Sequence, residues 1–382
     1  MEFWPNPPLM EGPPGALTRI DGKEYLYFGG TSYLGLSGHP EVIRAGCEAL
    51  RRYGVHTSTS RSGYGNSPIT LDVERLAAEF FGTAGAFYFA SGYFGNHILI
   101  QAVADRADVV LADESAHYCL AEASHLLGRP VVSFRHRDPD DLRQKLRERV
   151  PQGQRPLVLT DGIFSTTGAV APIDRYAELL RDFGRATILI DDAHGFGTIG
   201  RHGRGTLEHL GLWSEQVNAD PARDGLGFFV CGTLSKAIGG FGGVLPGSLA
   251  LLDRMRQTSH YYEGASAPMS AAAGATAKAM EIVLGQPQLR QRLEINARRL
   301  RCGLRVLGLA VDDWPTPIIG LSIGNGENMR RIHHELRLAG IIVPYFAAYS
   351  AAGPAGGLRI AVFATHTENM LDRLLAELSR VL

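Results

Sequence analysis

Phe228-Phe229-Val230-Cys231-Gly232-Thr233-Leu234-Ser235-Lys236-Ala237-Ile238-Gly239-Gly240 runs from a short apolar stretch into glycine, with one lysine between. The apolar part reads as a strand and the polar part as its carboxyl end. Only four of the 38 Lys and Arg residues are lysines (Lys23, Lys145, Lys236 and Lys278), so arginine carries most of the positive charge. A lysine kept at a strand end amid glycines suits a task that guanidinium cannot perform. In a shielded site an ammonium can release its proton and attack an aldehyde carbon, whereas arginine stays protonated. The plainer alternative is a surface lysine in a glycine loop.

Asp191-Asp192-Ala193-His194-Gly195 follows the apolar run Ile188-Leu189-Ile190 and marks a second strand end. A carboxylate, an imidazole and an amine at neighbouring strand ends form a cradle for pyridoxal 5'-phosphate, with Asp191 keeping the ring nitrogen protonated and Lys236 meeting the aldehyde. Ser91-Gly92-Tyr93-Phe94-Gly95-Asn96 follows another strand and opens an apolar helix, so its amides and the helix dipole would face a phosphate. His117, in Asp113-Glu114-Ser115-Ala116-His117, lies a few residues past a strand end, where a flat ring could stack on the cofactor. Each feature also has a structural reading: a helix cap for Asp191, an ordinary turn for Ser91-Gly92, a surface histidine for His117.

Strands are expected at Ala86 to Phe89, Val109 to Ala112, Leu157 to Thr160, Thr187 to Ile190 and Phe228 to Cys231, alternating with helical patterns. That alternation predicts a mainly parallel sheet covered on both faces, with ligands in the crevice at the carboxyl ends of its strands. Residues 1–40, rich in Pro and Gly with a strand candidate at Tyr25 to Phe28, read as an N-terminal arm. Residues 41–268 read as the large domain and 269–382 as a smaller α+β domain, close to the two domains expected for 382 residues.

The bulk numbers exclude several classes. A net charge of -1 gives no general pull toward nucleic acid or an anionic membrane. Cys47, Cys119, Cys231 and Cys302 lack metal-site spacing and read as reduced, mostly buried thiols, with no metal expected. Met1 to Pro8 shows no leader pattern and no stretch reaches about 18 apolar residues, so the cytoplasm is the expected compartment.

In order and spacing, Tyr33-Leu34-Gly35-Leu36-Ser37 with His39-Pro40, Ser91-Gly92-Tyr93 with Asn96, Asp161-Gly162-Ile163-Phe164-Ser165, Asp191-Asp192-Ala193-His194-Gly195, Gly232-Thr233-Leu234-Ser235-Lys236 and Leu358-Arg359-Ile360 resemble the α-oxoamine synthases. The resemblance spans nearly the whole chain. It implies fold type I of the pyridoxal phosphate enzymes (aspartate aminotransferase-like), an α/β large domain with a mainly parallel seven-stranded sheet and a smaller C-terminal domain.

By that resemblance Lys236 carries the Schiff base and moves protons at the substrate α-carbon, His117 stacks on the ring and Asp191 pairs with its nitrogen. His194 and Ser165 contact the phenolic oxygen, and Thr233 joins the turn of Ser91, Gly92, Tyr93 and Phe94 on the phosphate. Arg359 grips the amino acid carboxylate, with Ser32 a second substrate contact. Ser266 reaches the neighbouring subunit's phosphate in a homodimer with shared active sites. The implied reaction condenses an α-amino acid with an acyl thioester and releases carbon dioxide. Another pyridoxal phosphate reaction (amino transfer or carbon-carbon cleavage) stays open, as does a non-catalytic partner subunit, although joint retention of Lys236, Asp191 and His117 argues against the latter.

The sequence departs from the family pattern in places. Ser32 stands where Asn is usual, Asp161 where Glu is usual, and Thr70 where His is usual. Only Ser266 and Pro268 persist from the usual Thr/Ser- and Pro-rich stretch at Tyr261 to Pro268, and Val343-Pro344-Tyr345-Phe346 with Tyr349 also differs. These changes leave open the amino acid, the acyl donor, and whether coenzyme A or a carrier protein bears it.

Overall fold

Every strand expected in the α/β region forms in the computed structural model, which describes residues 7–347 and 355–382. Met1 to Asn6 and Tyr349 lie outside the described residues. Strands β1 (Leu17–Ile20) and β2 (Lys23–Tyr27) form a hairpin whose Asp21-Gly22 turn takes positive φ at both residues (48° and 75°), the geometry that matches strand twist. Strands β3 (Gly85–Phe89), β4 (Val109–Asp113), β5 (Val131–Phe134), β6 (Pro156–Asp161), β7 (Arg185–Asp191), β8 (Gly225–Thr233) and β9 (Gly243–Gly247) make one seven-stranded sheet in the order β3-β9-β8-β7-β6-β4-β5. Only β9 runs against the others. All six residues of β6 are buried, as its continuous apolar run requires when helices cover both faces.

Strand β9 holds Pro246, which cannot donate to a ladder. The sheet accommodates it because β8 and β9 pair only at Gly232 with Val244 and Thr233 with Gly243, then part. The side chain of buried Asn218 fills the gap. Its Nδ2 donates to Val230 O (2.7 Å) and Pro246 O (2.5 Å), and its Oδ1 accepts from Val230 N (2.7 Å).

Helix limits follow the capping residues. Ser67 caps Pro68–Phe81, which ends at Gly82 in the left-handed region (φ 65°), and Thr367 caps Glu368–Val381. In the C-terminal part, β10 (Ile318–Leu321), β11 (Ile341–Ile342), β12 (Tyr345–Phe346) and β13 (Gly357–Ala361) divide between two small sheets, β10-β13-β12 and β1-β2-β11. Parallel pairing of β11 with β2 therefore builds the N-terminal segment into the C-terminal part, and Leu26 and Phe28 share a core with Leu300, Ile341 and Ile360. A few residues on, Tyr33, Leu34 and Leu36 join the large core against the central sheet.

Arg106 ties the opposite, amino-terminal edge of the sheet. Its Nε donates to Thr187 Oγ1 (2.9 Å), Nη1 to Pro221 O and Arg223 O (3.0 and 2.5 Å), and Nη2 to Ala186 O and Gly225 O (3.0 and 2.9 Å). All five donors of a buried guanidinium are thus used on oxygen acceptors. Replacing it leaves several buried acceptors unpaired, so Arg106→Met should lower unfolding free energy by about 3 kcal/mol in denaturant titration. A loss below about 0.5 kcal/mol would contradict this account.

Candidate active site

In-register pairing of β6, β7 and β8 sets Asp161 opposite Asp191 and Asp191 opposite Cys231. The chain leaves β7 and β8 there, carrying His194 and Lys236 to a cavity of about 320 Å³ at the carboxyl ends of the strands. Of the residues singled out in the sequence, Ser91, Gly92, Tyr93, His117, Asp191, His194, Thr233 and Lys236 line it together, joined by Thr31, Cys119, Asp161, Ala193, Ser235 and Phe241.

Asp191 is held by three donors: Asn96 Nδ2 (2.6 Å) and Cys119 Sγ (3.2 Å) on Oδ2, and Ala193 N (3.0 Å) on Oδ1. Beside it, burial and the Asp191 charge hold the Asp161 carboxyl well above the usual carboxylate range, while Oδ2 accepts the backbone N–H of His117 at 2.8 Å. Burial lowers His117 and pushes the Cys119 thiol up, so both stay uncharged at neutral pH. Asp192 faces away, accepting Thr206 N (2.6 Å) and Thr206 Oγ1 (2.7 Å), and burial raises it to about 7.

Lys236 Nζ lies 3.0 Å from His194 Nε2. His194 Nδ1 is 2.8 Å from Tyr33 Oη, which in turn accepts from Arg359 Nη2 at 3.0 Å. Burial depresses both Lys236 and His194. Arg359 is also anchored by Nε on Ser165 O (2.6 Å) and Nη1 on Gly30 O (3.0 Å), so β13 meets the loop after β6 and the N-terminal segment at this one side chain.

The turn at Ser91 to Phe94 presses on the end of β8. A Cβ on Gly92 would stand 2.6 Å from Thr233 Cβ, so only glycine lets the backbone approach this closely. Thr233 Oγ1 donates to Gly242 O (2.7 Å) and accepts from Ser235 N (3.1 Å).

Four expected residues lie off the cavity wall, besides Arg359. Phe94 packs its ring on Tyr261 at 4.8 Å. Ser165 keeps its Oγ buried with no partner among the described residues. Ser266 is exposed and bridges to Ser60. Ser32 is buried with its Oγ 3.0 Å from Ser37 Oγ, while its neighbour Thr31 lines the cavity.

The reading from sequence missed Tyr33, Asn96, Cys119 and Thr31 as site residues. Tyr33 and Asn96 stood inside quoted motifs, and the spacing of Asn96 from Gly92, about one helical turn, was the signal available. Cys119 gave none.

The donor set fits pyridoxal phosphate: a depressed amine, a carboxylate fixed by three donors and a tight amide turn surround one cavity.

Comparison with known proteins agrees. Residues 23–378 match the family model for aminotransferase class I and II. The 8-amino-7-oxononanoate synthase of Methylococcus capsulatus is 35% identical over 371 residues, covering 97% of this chain and 92% of its own. That of Nitrosococcus oceani is 34% identical over 374 residues, covering 98% and 96%. A solved Sphingomonas wittichii serine palmitoyltransferase superposes with TM-score 0.88 at 26% identity, covering 98% and 91%, and an SPT with PLP does so with TM-score 0.88 over 98% and 92%. With the fold, the cavity and these likenesses in agreement, the chain belongs to the α-oxoamine synthase family of fold type I enzymes, which depend on pyridoxal phosphate.

Proposed function

We propose that this chain joins an α-amino acid to an acyl thioester with loss of carbon dioxide, giving an α-aminoketone, as an 8-amino-7-oxononanoate synthase-like acyltransferase. The observation that carries the reading is that Lys236 and Asp191 line one cavity, with Arg359 linked to its wall through Tyr33 and His194. The amino acid α-carbon gives up its proton and forms a new bond to the acyl carbonyl carbon. The thioester C–S bond breaks and sulfur leaves as a thiol. The carboxyl leaves as carbon dioxide, and a proton takes its place on the α-carbon.

Bound pyridoxal phosphate supplies the electron sink for this chemistry. Lys236 would hold the coenzyme and would take and return the proton at the α-carbon, a role suited to an amine whose burial lowers its proton affinity. Asp191 would pair with the ring nitrogen, His117 would stack on the ring, and His194 with the Ser165 hydroxyl would contact the phenolic oxygen. The Ser91 to Phe94 amides and Thr233 would hold the phosphate. Among the described residues Arg359 uses three of its five donors on protein oxygens, with one N–H on each terminal nitrogen left to take a carboxylate.

A homodimer with shared sites completes the reading. Phe241 lines the cavity yet is 56% exposed, and Ser266 lies outside the wall, both consistent with a second chain closing the mouth. Light scattering should give twice the 41.3 kDa chain mass; a monomer at micromolar concentration contradicts this part.

Lys236→Ala should fold normally but lose the visible absorption of the attached coenzyme, and an unchanged spectrum would remove Lys236 from its assigned place. With alanine and pimeloyl thioester as the first pair, followed by glycine and serine donors, thiol and carbon dioxide should appear in equal amounts. Amino transfer to a keto acid without thiol release would replace condensation by the alternative reaction.

A further inference from the structure

We propose that Tyr33 is a positioning residue that sets His194 with its proton on Nε2, so that the imidazole donates to Lys236 and presents its amine unprotonated. The inference rests on Lys236 being the attachment point for the coenzyme. The direction of the hydrogen-bonded chain is fixed from its far end. Arg359 only donates, so Tyr33 Oη accepts from Nη2 at 3.0 Å. Tyr33 is fully buried, and its own proton has one further partner among the described residues, His194 Nδ1 at 2.8 Å. Nδ1 is then an acceptor, and a neutral imidazole bare at Nδ1 carries its proton on Nε2. Nε2 is 3.0 Å from Lys236 Nζ, which must accept. Only a neutral amine has a lone pair to do so.

The opposite arrangement starts with a Lys236 ammonium donating to Nε2. It moves the imidazole proton to Nδ1, so that Tyr33 Oη faces two donors and its own buried proton is stranded. Charges around the chain pull both ways. Asp191 and Asp161 favour the ammonium at Lys236, whereas Arg359 disfavours it. Around His194, the Arg359 charge opposes an imidazolium, as would a proton on Lys236 or His117. Burial raises Tyr33, lowers His194 and lowers Lys236, each toward the uncharged form that this arrangement needs. Removing the Tyr33 hydroxyl frees Nδ1 to carry a proton and lets Nε2 accept from the ammonium, so the Lys236 pKa should rise.

The test uses the full-length coenzyme-free protein and needs no turnover. Nitrogen NMR of labelled histidine, with His194 assigned by its loss in His194→Gln, should show bare Nδ1 and protonated Nε2 at neutral pH. The reverse tautomer in the unsubstituted protein overturns the inference, and this measurement decides alone if the variant does not fold. In Tyr33→Phe, trace acetylation of Lys236 followed by mass spectrometry should shift its midpoint up by about one pH unit, roughly tenfold less labelling near neutrality. An unmoved midpoint in the folded variant also overturns it. Failure of the underlying reading is distinct, because it shows in the Lys236→Ala spectrum whatever Tyr33 does.

Discussion

A carboxylate inside a protein needs donors, and the way Asp191 obtains its three organises the whole site. Asn96 reaches it from the helix that begins after the Ser91-Gly92 turn, so the amide turn and the anion belong to one rigid piece. Cys119 reaches it from two residues beyond His117 and also lies 2.9 Å from His117 Nδ1, which fixes the loop that carries that ring. Ala193 N closes the third bond and starts the loop that delivers His194. One buried carboxylate therefore locks three loops, from the carboxyl ends of β3, β4 and β7, into a single register. Loops chosen for chemistry would otherwise be the most mobile parts of an α/β fold.

Concentrating ionisable groups around that carboxylate has an electrostatic consequence. In a poorly solvated cavity each additional charge costs desolvation energy, so the neighbours shift toward neutrality. Lys236, His117 and His194 are all depressed and Asp161 is raised, with burial the leading cause in each case. The result is an amine that gives up its proton more readily than an exposed lysine does. Raising Asp161 also lessens its tendency to stand as a second anion beside Asp191.

Much of this was legible in the sequence because the strand-end rule converts a linear pattern into a place. Five apolar runs, each stopped by polar or glycine residues, gave five strands, and the lysine and aspartate that ended two of them share the cavity. Strands β5 and β9 were not legible: Val131–Phe134 is a four-residue edge, and Gly243–Gly247 carries a proline that is tolerated only because Asn218, far upstream, substitutes for the ladder. The N-terminal segment looked like an arm because the strand that pairs with β2 lies some three hundred residues away, beyond the reach of local periodicity. Ser32 and Thr31 differ by a single alternation of the chain, which no composition argument resolves.

The structure also sorts the departures from the family pattern by whether they touch the cavity. Thr70 is buried against Ser67 Oγ at 2.9 Å, and Ser32 against Ser37, so both changes are absorbed by a local hydroxyl pair. Asp161 is different. It lines the cavity in register with Asp191, and its shorter side chain spends one oxygen on the His117 amide. A longer carboxylate at that position would have to reach past this amide or push the His117 loop outward. The shorter residue and the placement of the His117 backbone are therefore linked, and both lie on the wall that Asp191 shares.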